Sequence, residues 1–213
     1  MYLAKVNYKR EDVTHILSSI LKNIISDNTV IICIGTDRAI GDALGPLVGT
    51  MLKNSDFKYP VYGTLDNPIH ALNIYESIEK IKSKHSSSQF LAIDACLGSA
   101  SNIGNIQIRE GPILPGKGVG KKLPQVGTYS IVGIVDKIDE NILQKQVIRT
   151  TTSKFLYIIR NLSFTYLFNI LYVNTLTSES TDRFCLHPEF CFRRAFLSTY
   201  IYGDETVKAN GKR

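Results

Sequence analysis

The sequence predicts a three-layer α/β domain. Short β-branched runs, Thr29 to Ile34 and Phe90 to Ile93, alternate with stretches of helical periodicity. A glycine-bearing turn, Gly35 to Asp42, follows the first run. An acid, Asp42 or Asp94, lies just past each run. In an open parallel sheet the carboxyl ends of the strands carry the ligand crevice, so acids placed there can meet at one edge.

Each element has a local cause. Glu11 to Ile25 places Val13, Ile16, Leu17, Ile20, Leu21 and Ile24 at helical spacing. Thr29 to Ile34 reads as a central strand buried on both faces, and Gly35 closes it. Asp42 then opens a second helix with Leu44, Leu47, Val48, Met51 and Leu52 on one face. Pro46 falls in its first turn, where a missing N–H costs little. Pro60 to Gly63 predicts a short strand. Asn67-Pro68 reads as an N-cap and first helical position, which puts His70 in the first turn of a helix through Leu72, Tyr75, Ile78 and Ile81. Phe90 to Ile93 is the next strand, ending at Asp94, and Asn105 to Arg109 alternates like a half-exposed strand. Gly111 to Gly127, rich in glycine and proline, is a loop suited to covering a cleft. Tyr129 to Val135 fits a strand or a helix start, and Asn141 to Asn161 a helix.

These elements make residues 1–161 one domain and leave 162–213 as a C-terminal extension of unassigned structure. A chain of 213 residues can bury a core without disulfides. Its four cysteines, Cys33, Cys96, Cys185 and Cys191, form no zinc framework; Cys185, His187 and Cys191 offer three ligands where a structural site needs four. With no leading signal segment, a reducing cytoplasm is expected. The net charge of +6 is spread out, with one small cluster at Lys117, Lys121 and Lys122. Nucleic-acid binding calls for a denser basic stripe, so none is expected. Arg160, Asn161, Ser163 and Asn169 interrupt the apolar stretch Phe155 to Val173, which favours a buried helix over a membrane span.

The chemistry concentrates in the acids. The Gly35–Asp42 turn matches neither the Walker pattern nor G-x-G-x-x-G, and Asp37 and Asp42 would repel a phosphate. Asp42 has two readings, a helix cap or a site residue. Asp94 is costly to bury unless paired, hydrogen-bonded or functional. Two facing carboxyls can share a proton, one acting as base on water and the other donating to a leaving group. They can also hold a divalent cation with further ligands. His70 either lines the same crevice or bonds to nearby backbone. His15 and His85 fall on solvated faces.

Four blocks carry a family resemblance: Ile34-Gly35-Thr36-Asp37-Arg38 with Gly41 to Pro46; Gly63 to Asp66 with Pro68 to Asn73; Ile93 to Gly98; and Pro115 to Lys121 with Leu123-Pro124 and Val126-Gly127. Together they resemble YyaC-type sporulation proteins, which are similar in turn to spore germination protease and hydrogenase-maturation endopeptidases. The resemblance implies a phosphorylase/hydrolase-like α/β/α fold with a mixed, mainly parallel sheet. It further implies a sporulation-associated endopeptidase of the spore or germination machinery, with Asp42 and Asp94 as the catalytic pair. Asp37, Arg38 and His70 would position a protein or peptide substrate, such as a spore protein, without a cofactor. Two departures stand out: no histidine lies between Asp94 and His187, which argues against nickel reading, and Thr128 replaces an acidic residue. The alternative is a catalytically inactive sporulation protein that binds a peptide or protein partner in the same cleft. A metal-dependent hydrolase is a third reading. Oligomeric state is left open.

Overall fold

The computed structural model describes residues 1–38, 40–54, 57–116 and 123–137, and the side chains of all of these except Thr14 and Ile40. All of them lie within one unit, residues 1–175. Strands β1 (Tyr2–Asn7), β2 (Thr29–Cys33), β3 (Val61–Tyr62), β4 (Gln89–Gly98), β5 (Asn105–Glu110) and β6 (Tyr129–Lys137) form one sheet in the order β1-β5-β6-β4-β2-β3. The contiguous block β6-β4-β2-β3 is parallel. β5 runs antiparallel to both β6 and β1. The sheet is therefore mixed, with β5 the reversed strand.

Helices α1 (Val13–Ile24), α2 (Leu44–Lys53) and α3 (Ile74–Lys84) join these strands. Side chains alternate across a strand, so Val30, Ile32 and Ile34 share one face of β2. Ile74, Ile78 and Ile81 of α3 pack on that face, with Ala92 and Val132. Burying each such isoleucine stabilises the fold by about 1.5–3 kcal/mol. α2 covers the opposite face, where Gly49 lies against the Cys33 thiol and the Gly63 carbonyl. Val13, Leu17, Leu21 and Ile24 form the buried stripe of α1, which packs along β1.

Several expectations need correcting. Asp42 does not open a helix: it ends a short 3-10 turn, Ile40–Asp42, and α2 begins at Leu44 after Ala43. The helix bearing Ile78 starts at Ile74, not Pro68. The Asn73 side chain explains this. Its Oδ1 accepts the His70 N–H at 2.8 Å and its Nδ2 donates to the Pro68 carbonyl at 2.9 Å, holding the preceding residues in a turn. β4 does not end at Asp94; it runs on to Gly98, because β6 pairs with it throughout. β5 is not half-exposed, since Asn105 and Gln107 are buried along with Ile106 and Ile108. His85 is not on a solvated face: it is partly buried, 2.8 Å from the Tyr62 hydroxyl. Tyr129 to Val135 is a strand, and β1 was not anticipated. Of the Gly111–Gly127 loop, Ile113 and Val126 are bridged antiparallel. The helix at Asn141 to Asn161, the apolar stretch Phe155 to Val173, the lysine cluster, the Cys185, His187 and Cys191 group and the extension 162–213 lie outside the described residues.

Candidate functional site

The site forms where β4 outruns β2. Their ladder ends at the Cys33–Ile93 pair, and the Ile34 N–H then donates to the Ile93 carbonyl at 2.8 Å. Asp94 is the next residue of β4, with β6 still paired on its other side through Val132. On the β2 side the chain turns away at Gly35, and the 3-10 turn carrying Asp42 packs against β4.

Glycines allow that approach. Gly35 has φ +136°, and a Cβ there would collide with the Asp42 carbonyl oxygen. Gly45 lies against the Ile34 backbone, with no room for a side chain. The Thr36 N–H closes the turn by donating to the Asp42 carbonyl at 3.1 Å. The glycines of this signature thus bring one acid-bearing turn down onto the neighbouring strand, rather than cradling an anion.

Electrostatics follow from that closeness. Burial pushes the Asp94 carboxyl well above the ordinary carboxylate range, and the negative charge of Asp42 pushes it the same way. The Ala95 N–H, donating to Asp94 Oδ1 at 2.8 Å, opposes both. Asp42 is also raised by burial, and there the charge of His70 and the Thr36 N–H oppose the shift. Two carboxyls that feel one another release their protons in steps that belong to the pair. Such an arrangement can hold one proton and one charge at neutral pH.

His70 joins the pair from a third segment. Ile69 bridges Ile34, and its carbonyl accepts the Gly35 N–H at 2.8 Å. Asp37 and Arg38, by contrast, are exposed on the outer part of the turn. Their hydrogen bonds are local: Thr36 Oγ1 lies 3.5 Å from Asp37 Oδ1 and accepts the Arg38 N–H at 3.3 Å. The structure thus brings Asp42, Asp94 and His70 together and leaves Asp37 and Arg38 on the rim.

Two neighbours escaped sequence reading. Cys96 follows Asp94 on the same strand face; burial and then the Asp94 charge push its thiol up, against the pull of Arg109. That makes it a poor nucleophile. Asn73 braces the His70 turn. Extending β4 past Asp94 would have revealed Cys96 by its two-residue spacing. No group of three or more His, Cys, Asp or Glu side chains is arranged to hold a metal among the described residues, and no described helix is long and apolar enough to cross a membrane.

Residues 5–163 match the family described as "Protein of unknown function (DUF1256)". The chain is also 48% identical over 122 residues to a Bacillus subtilis (strain 168) protein described as "Uncharacterized protein YyaC". That match covers 57% of this chain and 60% of the relative, so the chain spans about three-fifths of that protein's length. Asp42, Asp94 and His70 all fall within the family match, which takes in every described strand but the start of β1: the chain belongs to the DUF1256 family.

Proposed function

We propose that this protein is an endopeptidase that cleaves a protein substrate with the Asp42–Asp94 pair. The fold would then be the phosphorylase/hydrolase-like α/β/α arrangement of spore germination protease, and the substrate a spore protein. The observation that carries the reading is the meeting of two carboxyls at the carboxyl edge of the parallel strands, where Asp94 is pushed up by burial and by Asp42. Asp94 holds the proton and Asp42 the charge. A water between them loses a proton to Asp42 as its oxygen attacks the scissile carbonyl. Asp94 donates its proton to the departing amide nitrogen as the C–N bond breaks. Asp42, now protonated, returns its proton to Asp94 through solvent, restoring the pair. Asp37 and Arg38, on the rim, would meet the substrate chain away from the reacting bond. The site works in a cytoplasmic setting with no cofactor assigned.

The test is incubation with a spore protein extract, reading new termini by mass spectrometry. Wild type is expected to generate them. Asp42→Asn and Asp94→Asn are expected to lose at least ~100-fold in rate, as a lost general acid or base does. Equal cleavage by all three proteins would remove the catalytic assignment. Absence of cleavage by wild type, with retained capture of one spore protein, would instead favour a binding role for the cleft.

A further inference from the structure

We propose that Arg109, flanked by Gln107 and Tyr2, is a carboxylate-binding subsite for the peptide that meets the acid pair. Its part in cleavage rests on the peptidase reading; the capture of a carboxylate does not.

Strand pairing sets the placement. Asp94 pairs with Val132 of β6, and Val132 pairs with Gln107 of β5. Ala92, Ser130 and Arg109 form the neighbouring row. Paired residues share a face of the sheet, as do residues two apart on one strand. Asp94, Cys96, Gln107 and Arg109 therefore lie on one face. Gln107 stands two strands from Asp94, about 10 Å away at the backbone. The Arg109 side chain leaves its own row: Nη2 donates to Gln107 Oε1, which brings the guanidinium toward the row of Asp94. Cys96 reports the same approach, because its thiol feels the Asp94 charge and the Arg109 charge together.

The guanidinium fork is only partly used. Its Cζ lies 4.6 Å from the ring centroid of Tyr2, the residue paired with Arg109 on β1. Gln107 supplies a single amide oxygen. Arg109 Nε is buried and has no hydrogen-bond partner. None of the ion pairs among the described residues includes Arg109. A buried donor on a charged group costs free energy while it stays unmet. A carboxylate answers this need, since its two oxygens can accept from adjacent N–H groups of one fork, as one amide oxygen cannot. The residue as a whole is only half-buried, so a ligand can approach it. A purely structural arginine would account for the Tyr2 stack but not for the idle donor. The net charge of +6 also favours an acidic partner. An extended peptide rises about 3.3 Å per residue, so a carboxylate about three residues from the reacting bond covers the distance from Asp94 to Gln107.

That carboxylate is either an Asp or Glu side chain or a free carboxyl terminus, and the experiment separates them. The readout is the Arg109 Nε–H resonance of the nitrogen-15-labelled chain, identified by its loss in Arg109→Lys, with amide spectra to verify the fold. Three alanine pentapeptides are titrated: one blocked at both ends with a central glutamate, one blocked with a central glutamine, and the glutamine peptide with a free carboxyl terminus. A saturable downfield Nε–H shift is expected with a carboxylate-bearing peptide and not with the blocked glutamine peptide. Response to the glutamate peptide assigns a side chain; response to the free-ended peptide assigns a terminus. Arg109→Lys, which keeps the charge and loses the fork, is expected to bind the responding peptide at least ~10-fold more weakly. No shift with either carboxylate peptide, an equal shift with the blocked glutamine peptide, or unchanged affinity in Arg109→Lys would overturn the subsite. If wild type cleaves spore proteins, Arg109→Lys should raise KM far more than it lowers kcat. Absence of cleavage would sink the peptidase reading and leave the Nε–H result standing; cleavage without any Nε–H response would sink the subsite alone.

Discussion

A carboxyl whose pKa is raised in the folded state binds its proton more tightly there than in the unfolded chain. Its contribution to stability is present below the ordinary carboxylate range and is lost as pH rises through the raised value. Asp94 has this sign because burial and the Asp42 charge both disfavour its anion, and Asp42 adds to it through burial. Asparagine at position 94 keeps the shape without the ionisation. Asp94→Asn should therefore match wild type in acid and exceed it at neutral pH. Thermal denaturation across pH checks this, with Tm rising by about 2–4 °C for each kcal/mol relieved in a chain of this size. A lower Tm than wild type at pH 7 would mean that the Ala95 N–H and other contacts outweigh the cost of ionising Asp94. A site that gives up stability to keep an acid in place is what a functional demand on Asp94 would produce.

At the scale of elements, the turn after β2 is what converts two separate acids into a pair. Gly35→Ala would force φ +136° on a residue with a Cβ and drive that atom into the Asp42 carbonyl. We expect it to cost about 2–4 kcal/mol in urea unfolding, as strained backbone positions with a clash do. Gly111→Ala supplies the control. Its φ is +115°, yet nothing lies within 4 Å of an added Cβ, so only the backbone strain of about 1 kcal/mol should appear. Equal losses for the two would show that the contact with Asp42 is not what the glycine protects. The same elements show what sequence could and could not reveal. Thr29 to Ile34 was legible because six β-branched or apolar residues in a row suit only a strand buried on both faces. Asp42, Asp94 and His70 were legible as chemistry, since each follows a strong local pattern. The start of α3 was not, because Asn67-Pro68 is a good helix opening that the long-range grip of Asn73 overrides. The length of β4 was hidden because an aspartate reads as a strand end unless its partner strand is known. β1 was missed because its short, half-exposed Tyr2–Asn7 run acquires strand character from pairing with β5, about 100 residues along the chain.

For the whole molecule, sheet order fixes where stability is greatest. Among the described strands, β4 and β6 each have partners on both sides, whereas β1 and β3 lie at the edges and β3 is only two residues long. Amides open most rarely where burial and pairing are both complete. Leu91, Ile93 and Ile131 are essentially inaccessible, while Tyr2 is 59% exposed. Asp94 sits between these regimes, on a strand anchored through β6 but released from β2 after Ile93. That combination holds Asp94 rigidly from the β6 side and leaves its β2 side to the turn that carries Asp42. Native-state hydrogen exchange should therefore grade across the sheet. Ladder amides of residues 91–93 and 131–134 should exchange slowest, those of residues 94–97 faster, and those of Val61, Tyr62 and β1 fastest. Edge amides as protected as those of β4 would break this gradient. They would point to a further strand added at the edge in solution, such as one from a second copy of the chain, and a concentration-dependent rise in β1 protection would identify it.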